Sequence, residues 1–126
     1  MKKTFFLFLF VLALSTATSA RLKPKCIVGK WKYEISLYNA QLEGSFVFSL
    51  KDGEFEGENI QSDGSISKLS NIKVNKKNET LCFDYYIRED EVPIEFILIV
   101  NHNKFRGKGW INDADFKITG EKILIQ

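Results

Sequence analysis

The chain has 126 residues, with 18 Lys and Arg against 16 Asp and Glu, one histidine and two cysteines. Lys2 and Lys3 belong to a leader, and without them the basic count equals the acidic one. A neutral chain of this size carries no electrostatic footprint for nucleic acid or an anionic membrane surface, and it holds enough sequence for one domain.

Residues 1–20 have the layout of a secretory signal peptide. Lys2 and Lys3 open it, Phe5 to Leu14 is continuously apolar, and Ser15 to Ala20 are all small. Cleavage is expected after Ala20. The apolar run is about half the ~20 residues a membrane-spanning helix needs, so no membrane span is expected. The domain is expected to comprise residues 21–126 and to be secreted or periplasmic. The style of the leader is bacterial; the sequon Asn78-Glu79-Thr80 carries meaning only in a eukaryotic host. Cys26 follows Pro24 and Lys25, not the small residues that precede a lipid-modified cysteine.

From Gly29 the sequence alternates. Trp31, Tyr33, Ile35 and Leu37 are apolar, while Lys30, Lys32, Glu34 and Ser36 between them are polar. After a polar tip the pattern resumes with Leu42, Gly44, Phe46, Phe48 and Leu50. Lys51-Asp52-Gly53 is a hairpin signal, followed by Phe55 and Gly57 between three glutamates. Ser62-Asp63-Gly64 turns again, and residues 65–74 carry Ile66, Ile72 and Val74 in a weaker pattern. Next come Leu81, Phe83, Tyr85 and Ile87; a charged tip at Arg88–Glu91; then Val92, Ile94, Phe96, Leu98 and Val100. Phe105, Gly107, Gly109 and Ile111 follow the turn at Asn101-His102-Asn103. Phe116 and Ile118 lead into a last strand near Ile123.

This makes eight period-2 strands with short turns and no sustained helical period, hence an all-β antiparallel meander. A shift of fifty residues carries Trp31, Phe46, Phe48, Phe55 and Gly57 onto Leu81, Phe96, Leu98, Phe105 and Gly107. That spacing predicts a pseudo-repeat of two four-stranded halves. Each half has one apolar face that it cannot bury alone. An eight-stranded up-and-down barrel buries both and removes the exposed edges. Trp31 is expected to plug one end. The inward residues are bulky, so the interior is expected to be mostly filled, with inward glycines leaving room for a small site beside Tyr33 or Tyr85. Trp31, Tyr33 and Tyr85 are the candidate ligand-binding residues.

Gly29-Lys30-Trp31 at the head of the first strand resembles the G-x-W opening of lipocalin-like barrels. The stretches "EGSFVFSLKDGEFEGE" and "LSNIKVNKKNETLCFDY" are similar to a bacterial exported eight-stranded barrel domain, and the resemblance spans residues 29–121. It implies a lipocalin-like fold and no known activity. Lipocalins are longer, have a helix after the barrel, and pack a basic residue from the late strands over the tryptophan. Arg106 is the only arginine on the late strands here, and its phase points outward.

Candidates for chemistry are few. His102 sits in a turn, without the partners a transition-metal site needs. No nucleophile elbow or phosphate-binding glycine loop is present. Glu54, Glu56 and Glu58 lie on an outer face. The expected function is therefore a non-enzymatic binding or accessory module with no cofactor and no metal. Its partner is either a small apolar ligand inside the barrel or a protein on an outer face. With Ile87 opposite Val92, Cys82 falls opposite Ile97 and Trp110 beside Glu95. Tyr86, Ile97, Ile99 and Trp110 then form an outward patch with Cys82. Cys26 and Cys82 either bond to each other or remain two thiols.

Overall fold

The alternation becomes a closed barrel in the computed structural model, which describes residues 22–88 and 92–124. The expected leader, residues 1–20, lies outside the described residues, as do residues 89–91 of the charged tip. The strands are β1 (Gly29–Ser36), β2 (Gln41–Lys51), β3 (Glu54–Gln61), β4 (Ile66–Asn75), β5 (Thr80–Tyr85), β6 (Ile94–Asn101), β7 (Lys104–Ile111) and β8 (Ala114–Lys122). Each pairs antiparallel with its neighbours in sequence, and β1 closes on β8 with Tyr33 opposite Gly120 and Ile35 opposite Ile118. Closure gives every strand two neighbours, although β3 and β4 pair only from Glu58–Ile60 to Ile66–Lys68.

The fifty-residue spacing is compatible with this architecture: shifted by it, β3 falls end to end on β7. One strand breaks the alternation. In β4 the pairing with β5 slips between Ser70 and Lys73, and Asn71 takes φ of 55°. This bulge puts Leu69 and Ile72 on the same inner face, although one is odd and the other even. It explains the weak pattern of residues 65–74. Ile66, before the bulge, points outward and is exposed. The Asn71 side chain ties the bulge to the next strand, donating from Nδ2 to Asp84 Oδ2 at 2.7 Å.

The two ends of the barrel differ. A single helical turn, α1 (Pro24–Ile27), lies across the end where β1 begins, with Ile27 fully buried and Leu22 beside the core. Trp31 is buried directly beneath it. Its indole Nε1 donates to the Ile27 carbonyl at 2.8 Å, and its ring lies 5.7 Å from that of Phe105. The Lys122 ammonium lies 5.7 Å from the centre of the Trp31 ring and donates to the Cys26 carbonyl at 3.1 Å. The basic residue over the tryptophan is thus Lys122, from the inward row Phe116, Ile118, Gly120 and Lys122, while Arg106 is exposed. Beyond this plug, Phe48, Leu81, Phe83, Leu98, Val100 and Phe105 fill the interior.

The wall is tightly coiled where β6 meets β7. A Cβ added at Gly107 would collide with the Ile97 carbonyl oxygen and the Leu98 Cα. Backbone cannot swing aside as a flexible side chain can. Gly107→Ala is therefore expected to lower stability by about 2–3 kcal/mol, read as a lower urea midpoint at unchanged slope. A variant as stable as the parent would show that the two strands do not approach this closely.

Candidate functional site

Phe46 marks the boundary between the packed half and the rest. Its ring stacks on Tyr33 at 4.3 Å between centroids and meets Phe83 and Phe96 edge-on at 5.0 and 5.6 Å. On the far side of this floor the barrel is hollow. A cavity of about 340 Å³ runs to the open end, where the turns 37–40, 62–65 and 112–113 gather with residues 86–88 and 92–93. The expectation of a filled interior thus holds for one half only. The reason lies in the inward rows: toward the open end they offer Gly44 on β2 and Asn59 and Gln61 on β3, where the other half has phenylalanine and leucine.

Most of the lining is apolar: Ile35, Phe46, Ile94, Phe96 and Phe116 form the walls, and Leu37, Leu42, Ile87 and Ile111 surround the mouth. These four rim residues are exposed, Ile87 by 60% of its surface. Exposed apolar side chains ringing a hollow are a sign of use, since isolated ones are common but a ring is not.

Six polar side chains interrupt this lining; Glu43 and Ser62 lie toward the mouth, and the other four form two hydrogen-bonded pairs. The Tyr33 hydroxyl donates to Asn59 Oδ1 at 2.7 Å, and Gln61 Nε2 donates to the Tyr85 hydroxyl oxygen at 2.8 Å. Behind it, Gln61 Oε1 lies 3.1 Å from the Ser65 hydroxyl, whose shorter bond, 2.7 Å, goes to Asp63 Oδ1. Asn59 is 3% exposed, which makes it the buried polar side chain of the described residues. Burial, and after it the neighbouring Tyr85, push the Tyr33 hydroxyl up to about 12 from an ordinary 10.0, against the hydrogen bond to Asn59, which lowers it.

The folded state therefore holds the Tyr33 proton through a range in which the unfolded chain releases it. That contribution is complete below pH 10 and disappears as pH rises through about 12. Allowing for water in the open cavity, it amounts to roughly 1–2 kcal/mol. Tyr33→Phe has no such proton, so the stability difference between the parent and this variant should shrink between pH 10 and 12. A difference that stays constant over that range would place the Tyr33 hydroxyl in bulk water.

Of the residues expected to bind a ligand, Tyr33 and Tyr85 line the cavity together. Trp31 does not: it is 2% exposed, at the opposite end under α1. Asn59 and Gln61 escaped the sequence reading, although the odd row Phe55, Gly57, Asn59, Gln61 continues the inward phase of β3 through both.

The expected outer patch has the expected register, with Cys82 opposite Ile97 and Glu95 opposite Trp110. Ile97 and Ile99 are exposed, while Tyr86 and Trp110 are half-buried. Lys108 and Arg106 stand opposite Ile97 and Ile99 on β7 and interrupt the apolar surface with charge. Cys26 and Cys82 are free thiols, so the possible disulfide is not formed. Cys26 is exposed on α1, across the plugged end, whereas Cys82 is half-buried on the outer wall beside Lys73 and Ile97. Burial pushes the Cys82 thiol up, outweighing the Lys73 charge that draws it down. His102 is exposed in the turn between β6 and β7. Among the described residues no helix is long and apolar enough to cross a membrane.

Fold and site together define a small antiparallel barrel, plugged at one end and hollow at the other. No protein-family model matches the chain, and no curated protein matches it.

Proposed function

We propose that this is an exported, non-enzymatic binding protein whose barrel holds a small, largely apolar ligand taken up through the open end. The observation that carries this reading is the cavity itself: about 340 Å³, walled largely by isoleucine and phenylalanine, with its buried polar groups Tyr33, Asn59, Gln61 and Tyr85 held in two hydrogen-bonded pairs. This is the composition of small-molecule sites in general, at the lower end of their size range. The apolar rim gives the ligand a surface to meet before it enters. The Gly-Lys-Trp opening, which resembles that of lipocalin-like barrels, and the signal-like leader support the same reading.

The test is a titration with the small, neutral, polarity-sensitive fluorophore 1-naphthylamine, whose size matches the cavity. Saturable enhancement is expected with the parent protein. Ile94→Trp, which places an indole in the cavity, should weaken it by at least about tenfold, equivalent to ~1.4 kcal/mol. Ile97→Asp, on the outer wall, should leave it unchanged. A folded parent that gives no saturable signal, or an Ile94→Trp protein that binds as the parent does, would refute the interior site. The exposed Ile97 and Ile99 favour a second reading, a protein contact on the outer face. In that case Ile97→Asp would abolish capture of the partner without changing the circular dichroism spectrum.

A further inference from the structure

The hydrogen-bonding groups inside the cavity select the ligand more narrowly than its apolar walls do. The Tyr33 proton is committed to Asn59 Oδ1, which leaves the two N–H groups of the Asn59 amide without a partner among the described residues. Turning the amide over changes which group is left, but a donor remains free in either orientation. Tyr85 is in a similar position. Its oxygen accepts from Gln61 Nε2, so the Tyr85 O–H is directed elsewhere. The cavity thus presents surplus donors at its floor and on its wall. A buried donor left unpaired costs about 1–3 kcal/mol, and an acceptor delivered by a ligand would remove that cost.

We propose that the ligand is a neutral molecule with one accepting oxygen, a ketone, aldehyde or ester carbonyl, that enters oxygen-first and takes its hydrogen bonds from Asn59 and Tyr85. This rests on the binding reading above and narrows its ligand class. The neutrality follows from the lining. Among the described residues no Lys, Arg or His faces the cavity, and its one ionisable carboxyl, Glu43, is exposed at the mouth. A carboxylate brought to the floor would lose its water and gain no cation, which is costly for a buried charge. The same surroundings already oppose ionisation of Tyr33. Size narrows the class further: at about 30 Å³ per water-sized group, the cavity admits a ligand of roughly ten non-hydrogen atoms.

Three probes of equal heavy-atom count separate the possibilities: decane, 2-nonanone and octanoate, each displacing 1-naphthylamine from the full chain at pH 7. The ketone is expected to bind at least as tightly as decane although its carbonyl must shed water. It should bind at least about tenfold more tightly than octanoate, a gap of ~1.4 kcal/mol. Octanoate should improve as the pH is lowered and its carboxyl becomes neutral. In Tyr85→Phe and in Asn59→Leu the ratio of ketone to decane affinity should fall about tenfold, and Tyr85→Phe removes only an oxygen if the second variant folds poorly. A ratio that neither variant alters, or octanoate binding as tightly as the ketone, overturns the proposal while leaving the apolar cavity in place. Failure of decane and the fluorophore to bind at all would instead remove the binding reading beneath it.

Discussion

Trp31→Ala should remove about 3–5 kcal/mol of stability, a large part of what a domain of this size possesses. Three losses coincide at this position. The indole is 2% exposed and packs on Phe105, so truncation leaves a void in the packed half of the barrel. Its N–H is the partner of the Ile27 carbonyl, so α1 loses the bond that holds it across the barrel end. The Lys122 ammonium loses the ring face it lies over and keeps only the Cys26 carbonyl. Trp31→Phe separates these terms: it keeps most of the volume but not the N–H, and should cost about 1–2 kcal/mol. Urea unfolding followed by circular dichroism reads both. If Trp31→Ala shifted the midpoint by the equivalent of less than about 1 kcal/mol, the tryptophan would be no plug.

The sequence declared this half of the molecule plainly. Alternation with a period of two fixes which side chains face in, and bulky residues on the inward row announce a packed interior. The open half was harder to read for the same reason it is hollow. Asn59 and Gln61 lie on the inward row, but polar residues on a strand look like an outer face, and only closure of the barrel makes them interior. Lys122 hid in the same way, a charged residue at the end of an inward row. The bulge at Asn71 changed the phase of β4 without glycine or proline to mark it. The fate of the cysteines was not legible at all, because a bond between Cys26 and Cys82 depends on where α1 crosses the barrel, and that is decided by Ile27 and Trp31.

Phe46 joins the two halves, and its replacement should alter both stability and binding. The ring is 1% exposed and touches Tyr33, Phe48, Phe83, Phe96 and Phe105, so it anchors the aromatic core from the centre. Phe46→Ala is expected to cost about 3–5 kcal/mol. Phe46 is also the floor of the cavity. Removing it joins the new void to the existing hollow instead of sealing it inside the core, so the site becomes deeper. Across methyl ketones of increasing length, the parent should bind best near 2-nonanone, whereas the variant should favour chains longer by several carbons. The added carbons should then restore part of the lost stability, because a ligand that binds only the folded protein stabilises it in proportion to its affinity. Phe46→Leu offers a milder floor, with a smaller loss of stability and a shift of about one or two carbons, each buried CH₂ contributing about 0.8 kcal/mol. An unchanged length preference in a folded Phe46→Ala protein would mean that the ligand never reaches this ring, and that the hollow beyond it is not where binding occurs.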